Sequence, residues 1–318
     1  MNNLSSIIDK YDLKVSKYSY KNKAIILDTE KGNFVLKKRK RNDKKELYDY
    51  LLSRNFSFFL YPENNFNDDY EIYAYVDEIS TIKEEKAIHL IYILAELENH
   101  IINNYKSINM FNTLGYKNVV ISNELTLDEI KEIYEEKGKQ IDMLFEYYNN
   151  LEEVFSSSVY PSPYELLLLN NVSKIYNTLN YSKELLEEWY KHISNTRKRR
   201  IVLSHNHLSL DHFLDCKDAK VINFDYASYK SPIYDFVYFY KNHYHELDML
   251  SLFTTYQRKY LYTDDELLLF FIEIIIPPKI NLKKNTYENT LLIHKLITYI
   301  DSTRDFILKK QKKQQEEH

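Results

Sequence analysis

The hydrophobic period changes near residue 77, and that change bounds the fold more tightly than any other feature of the chain. Up to Val76 the apolar residues come in short β-branched or aromatic runs. These are LKVSKYS (13–19), KAIILDT (23–29) and NFVLKK (33–38), parted by YKN and by EKG with Gly32 at the turn. Asp43 then opens a helix with apolar positions Leu47, Tyr48, Leu51 and Leu52, and SFFLYP (57–62) and YEIYAYV (70–76) read as two further strands. The order βββαββ predicts a small antiparallel sheet with one helix.

Beyond Val76 the period becomes helical. Residues 84–104 carry Ile88, Ile91, Leu94, Leu97 and Ile101, and Thr126 with Glu129 forms a capping box for a helix to about 156. Ser162, with Pro163 in the first turn and Glu165 three residues on, opens another helix, and a further one is expected over 183–196. Residues 201–224 interrupt the pattern with a short strand (IVL), a loop (HNHLSLDH) and a hairpin turning around Lys217 to Ala219. Helices resume near Ile233. They include a third capping box at Thr263 and Glu266, the apolar run LLLFFIEIIIPP stopped by Pro277 and Pro278, and a polar tail, KKQKKQQEEH. The expectation is a bilobal α+β fold: a sheet lobe over 1–78, then a mostly helical lobe over 79–318 holding the segment 203–225.

A chain of 318 residues with 44% hydrophobic and 28% charged residues can bury a sizeable core without disulfides. The single cysteine, Cys216, excludes an intramolecular disulfide framework and a Cys-rich zinc site. The N-terminus, MNNLSSIIDKYDL, has neither the basic nor the apolar region of a signal peptide, so cytosolic synthesis is expected. No apolar run is long enough to span a bilayer; LLLFFIEIIIPP is short and contains Glu273. Thirty-one tyrosines against three glycines suit an AT-rich coding sequence, or oxidative cross-linking in a structural layer. Net charge is -4 and two basic runs, KKRKRNDKK (37–45) and RKRR (197–200), lie at the ends of expected elements. With no recognised reader module they do not point to nucleic acid; a protein partner is expected instead, and no membrane.

The densest chemistry is LSHNHLSLDHFLDCKDAKVINFDYASYKSPIYDF, residues 203–236. Its order His205-x-His207-xxx-Asp211-His212 resembles the H-x-H-x-D-H signature of metallo-β-lactamase-fold hydrolases, with a spacer two residues longer. That reading predicts zinc on His205, His207 and His212. The same stretch resembles, in register, the H-G-D-x-x-x-x-N…I-D-F-D pattern of aminoglycoside and choline phosphotransferases. His205-Asn206-His207-Leu208, then His212, then Val221-Ile222-Asn223-Phe224-Asp225 fill it, and Pro232-Ile233-Tyr234-Asp235-Phe236 follows as P-x-x-D-L. At the end of the third strand, Phe34-Val35-Leu36-Lys37 stands where kinases keep the phosphate-pairing lysine, with Glu46 on the next helix as its partner. The chain is similar to the CotS/YutH-type spore-coat kinase-like proteins of endospore-forming bacteria, in segments such as YELLLLNN, LDHFL and SPIYDF.

What the resemblance implies is a protein-kinase-like fold in which Lys37 and Glu46 serve nucleotide and the buried Asp235 braces the loop that holds His205. Under it His207 stands at the catalytic aspartate, His212 at the metal-binding asparagine and Asn223 at the metal-binding aspartate; only Asp211 and Asp225 leave carboxylates nearby. Magnesium favours anionic oxygen ligands, and His212 and Asn223 do not supply them. The loop SYKNKA between the first two strands also lacks the glycines that let backbone approach phosphates. ATP and magnesium are therefore expected to bind weakly or not at all. The expected function is a degenerate phosphotransferase acting as a binding or assembly protein, with the spore coat as the location implied by the resemblance. Two alternatives stand beside it. One is an active ATP-dependent kinase using Lys37 and Glu46 for phosphates, Asp225 and Asp211 for magnesium, and His207 as base; the other is the zinc hydrolase.

Overall fold

The computed structural model describes residues 8, 11, 14–21, 23–64, 69–102 and 124–317. They form β1 (Val15–Lys21), β2 (Ala24–Thr29), β3 (Gly32–Lys38), α1 (Lys44–Ser53), β4 (Tyr70–Ala74) and α2 (Lys83–Ile102). Next come α3 (Leu127–Ser156), α4 (Pro163–Leu169), α5 (Val172–Thr196), β5 (Val202–Ser204), β6 (Phe213–Leu214), β7 (Lys220–Val221) and β8 (Ser228–Lys230). The last are α6 (Ile233–His243), α7 (Met249–Lys259), α8 (Asp264–Ile275) and α9 (Thr286–Glu317). These elements divide into two compact units, one of Met1–Val120 with Ser209–Ala227, the other of Ile121–Leu208 with Ser228–His318.

In the first unit the sheet runs in the order β1-β2-β3-β4 and every pair is antiparallel. Strand alternation sets Leu27, Leu36 and Ile72 on one face, where they are buried with Ile25, Phe34 and Tyr70 packed against them. The other face carries Val35, Lys37, Glu71 and Tyr73, since Val35 pairs with Tyr73 and Lys37 with Glu71 across β3 and β4. The β2–β3 hairpin closes at Gly32, whose φ of 116° is a backbone region that side chains rarely adopt. Helix α1 buries Lys44, Leu47, Tyr48 and Leu51, an i, i+3, i+4, i+7 stripe. Leu52, expected on that stripe, is exposed, and the buried aromatic of the helix's last turns is Tyr50.

The strand expected over 57–62 does not join the sheet. Only Phe59 forms a bridge, parallel to Val221, and the Val221 N–H donates to the Phe58 carbonyl at 2.7 Å. Ring packing explains the difference. Phe59 stacks on Tyr48 with centroids 4.6 Å apart, and Phe224 meets Tyr48 edge-on at 6.2 Å, so this aromatic run is burying rings around the β6–β7 hairpin. The hairpin itself pairs Phe213 with Val221 and Leu214 with Lys220, around the turn read from the sequence.

The second unit is mostly helical. Capping boxes open α3 at Thr126 and α8 at Thr263, and at α4 the Ser162 N–H donates to Glu165 at 2.5 Å. Helix α5 begins at Val172, well before the expected 183, because the buried positions Ile175, Leu179, Ser182, Leu186, Trp189 and Ile193 continue one apolar stripe. Ser182 is accommodated there by donating to the Thr178 carbonyl at 2.8 Å. The polar tail also continues a helix, α9, to Glu317, as its Lys, Gln and Glu content favours. Phe253 stacks on Phe270 with centroids 4.8 Å apart and is flanked by Phe236 and Phe306, which gives the unit an aromatic centre. No helix among the described residues is long and apolar enough to cross a membrane.

Candidate functional site

The densest polar constellation in the first unit is built by three short pieces: the end of β3, the first turn of α1, and the 3-10 turn Phe224–Tyr226 that follows β7. Phe224 anchors that turn among Tyr48 and Phe59, which sets the residues on either side, Asn223 and Asp225. Asn223 adopts a left-handed conformation with φ 71°, which asparagine tolerates better than most residues.

Both oxygens of Asp225 are occupied by lysines. Oδ2 accepts from Lys37 Nζ at 2.7 Å and Oδ1 from Lys44 Nζ at 2.8 Å, while Lys40 stands 3.8 Å from Oδ2. The Asp225 and Lys44 side chains are each 1% exposed, so this pairing is scarcely screened. Burial alone would push the Asp225 carboxyl up, but Lys44 and Lys37 override it and hold it down at about 2. Lys44 also donates to Glu71 Oε2 at 2.8 Å; Tyr73 donates to the same oxygen at 2.9 Å, and Arg39 Nε lies 3.6 Å from Oε1. Burial lowers the Lys37 ammonium, with Asp225 acting the other way. For Lys44 burial is outweighed by Tyr48, Glu71 and Asp225, which raise it.

Asn223 and His212, the two other positions aligned with magnesium ligands, hold each other. Asn223 Oδ1 accepts from Lys37 Nζ at 2.6 Å, and its Nδ2 is 3.0 Å from His212 Nε2. An amide nitrogen donates, so that ring nitrogen is the acceptor and the proton sits on Nδ1, 3.3 Å from Ser209 Oγ. The Lys37–Asn223–His212–Ser209 chain fixes the imidazole as the neutral tautomer.

Of the remaining first-unit positions, Glu46 lies exposed on α1 and makes no pair with Lys37, whose hydrogen bonds among the described residues go to Asn223 and Asp225. Asp211 is exposed on the 3-10 turn Leu210–His212. Lys44, in the first turn of α1, pairs instead with Glu71 of β4 and with Asp225.

In the second unit the Asp235 carboxylate accepts from the backbone N–H of His205 at 2.6 Å and of Asn206 at 2.7 Å. It thereby fixes the turn after β5, which pairs with β8. Asn206, at φ 60°, donates from Nδ2 to Ser228 Oγ at 2.7 Å. Burial pushes the Asp235 carboxyl up to about 6 against the pull of those two N–H groups. His205 is buried, and the half-buried His207 ring lies 5.1 Å from that of Tyr238 on α6.

Sequence reading missed Lys44, Glu71 and Arg39. Lys44 carried a signal: it falls in register with Leu47, Tyr48 and Leu51 on the apolar stripe. Nor do the basic runs form simple solvated patches. Lys37, Arg39 and Lys44 turn to carboxylates, Arg41 pairs with Asp43 (2.8 Å from Nη2), and Arg200 pairs with Glu266 and stacks on Tyr260. Among the described residues no group of three or more His, Cys, Asp or Glu is placed to hold a metal ion, so the histidine triad expected for zinc is not assembled.

No curated protein matches the chain. A family profile described as Peptidase family U32 matches residues 77–150, too small a part of the chain to place it in that family. Solved structures match over nearly its whole length. An aminoglycoside phosphotransferase from Alicyclobacillus acidocaldarius covers 98% of this chain and 92% of its own, with a TM-score of 0.62 at 11% identity. The spectinomycin phosphotransferase APH(9)-Ia, in complex with ADP and spectinomycin, covers 96% and 98% with a TM-score of 0.57, also at 11% identity. Its AMP-bound complex gives 0.53 over 93% of each chain at 11% identity. At such identity these likenesses speak for the fold alone: the chain has the α+β, protein-kinase-like fold of the aminoglycoside phosphotransferases.

Proposed function

We propose that this chain is a degenerate phosphotransferase that binds or assembles with a protein partner, in the spore coat as its resemblance to the CotS/YutH-type proteins implies. The observation that carries the reading is the occupation of Asp225. In the role its position suggests, this carboxylate would offer oxygen to magnesium at about 2.0–2.1 Å. Both of its oxygens instead hold ammonium groups, one of them the buried Lys44. A divalent ion would have to displace or sit beside that charge. Asn223 and His212 are engaged with each other, and His207 brings no anionic field to an acceptor hydroxyl. Lost chemistry on a retained scaffold leaves binding as the function to be served.

The test is thermal unfolding with millimolar ATP, with and without magnesium, beside the Lys37→Ala variant. A ligand at 100 times its dissociation constant adds about 2.7 kcal/mol of stability, a shift of a few degrees for a chain of this size. The expected result is no magnesium-dependent shift and no phosphoryl transfer. A magnesium-dependent shift that Lys37→Ala removes, with turnover that Asp225→Ala abolishes, would overturn the reading in favour of an active kinase.

A further inference from the structure

We infer that the outer edge of β1 takes up an extended segment of a partner protein as an added strand, a segment whose side chains alternate between acidic and apolar. The inference rests on the binding role proposed above and deepens it by naming the partner's chemistry. Its first support is an unused edge. Strand β1 ends the sheet on one side, and its outward backbone groups make no hydrogen bond with another described residue. Alternate residues of an edge strand point N–H and C=O away from the sheet, where an incoming chain can pair with them. The shift of register between Val15 and Lys17 confines the regular edge to residues 17–21.

The second support is the pattern of side chains along that edge. Tyr18 stands opposite Leu27 and Tyr20 opposite Ile25, so both rings extend the apolar face of the sheet, yet they are 48% and 69% exposed. The two rings meet edge-on with centroids 5.9 Å apart. Lys17 and Lys21 project from the other face, with Ser19 between them. Both lysines are exposed, and neither makes a hydrogen bond or an ion pair among the described residues, although Asp28 stands opposite Lys17 in the register. One strand thus offers apolar rings on one side and unpaired ammonium groups on the other. A chain that alternates acidic and apolar residues matches both sides at once, because cross-strand neighbours share a face. A second copy of β1 would set lysine against lysine. A single-stranded nucleic acid stacked on the tyrosines would lie on the face away from Lys17 and Lys21, without the phosphate contacts that carry such binding.

The experiment is fluorescence anisotropy of a labelled short peptide alternating glutamate with valine, titrated with the full chain. We expect binding that Tyr20→Ala and Lys21→Glu each weaken by about fivefold or more. Lys45→Glu, at an exposed lysine of α1, should leave it unchanged. A peptide of the same composition with its glutamates in one block and its valines in another should also bind about fivefold or more weakly. N-methylation of the peptide amides should abolish binding on one set of alternate residues and spare it on the other, because only one set faces β1. Equal effects of the two methylated sets, or equal losses in Lys21→Glu and Lys45→Glu, would mean diffuse charge attraction and overturn the inference. Tighter binding of single-stranded oligothymidylate than of the peptide, lost in Tyr20→Ala, would assign the surface to nucleic acid; a dimer of the chain alone that Tyr20→Ala dissociates would assign it to a second copy. Either result overturns the inference. So does no binding of the peptide, which leaves the proposed function standing, since that reading falls only to magnesium-dependent ATP binding with turnover.

Discussion

At the scale of single residues, Asp225 combines burial with the need for charge. Its carboxyl ionises at about 2 in the folded chain, against an ordinary value near 4 when unfolded. Folding therefore favours the ionised form. The stabilisation is complete above pH ~4 and is lost as the pH falls towards 2, when the unfolded chain takes up the proton first. After allowance for solvent screening this amounts to about 1–2 kcal/mol. Asp225→Asn should remove that pH dependence and destabilise the protein at pH 7 by about 2–4 kcal/mol, because Lys44 and Lys37 lose their shared anion inside the fold. Urea unfolding of both proteins at pH 7, 4 and 3 checks this. Parallel pH profiles for the two would show that Asp225 is not the group responsible.

At the scale of elements, α1 shows how one helix turns a basic sequence inward. Lys44 and Lys45 are neighbours in sequence but stand on different faces, since adjacent helical residues are about 100° apart. Lys44 bonds to Glu71 and Asp225 in the interior, whereas Lys45 pairs with Asp49, at 3.7 Å and in solvent. Lys44→Gln should cost about 2–4 kcal/mol and Lys45→Gln no more than ~0.5 kcal/mol. Equal effects in chemical denaturation would remove the case for an inward α1 lysine. The contrast also shows what sequence can reveal. Period and caps were legible: β1 to β3, the capping boxes at Thr126 and Thr263 and the hairpin before Asn223 stand where their patterns put them. The partners of Lys37 were not: Glu46 was expected, but a strand-end lysine can reach several carboxylates and only the tertiary fold brings Asp225 and Asn223 to it. SFFLYP misled for a related reason. An aromatic run satisfies strand propensity and ring packing alike, and here the rings of Tyr48 and Phe224 claim it.

At the scale of the whole molecule, a chain with three glycines and thirty-one tyrosines must fill much of its interior with rings. In the second unit they are organised around Phe253. It lies within 4.8 to 5.9 Å, centroid to centroid, of Phe270, Phe236, Phe306 and Tyr262. Such contacts add about 0.5–1.5 kcal/mol each to the area buried, and removing the central ring leaves a cavity that its stiff neighbours cannot fill. Phe253→Ala should therefore cost about 3–5 kcal/mol. The single tryptophan, Trp189, is buried on α5 in the same unit, so its fluorescence reports the loss directly. The denaturation midpoint read at Trp189 should fall, while Leu261→Ala, at a residue 71% exposed, should leave it within ~0.5 kcal/mol. A Phe253 variant that unfolds at the original midpoint would mean that the ring cluster is not what holds this unit together.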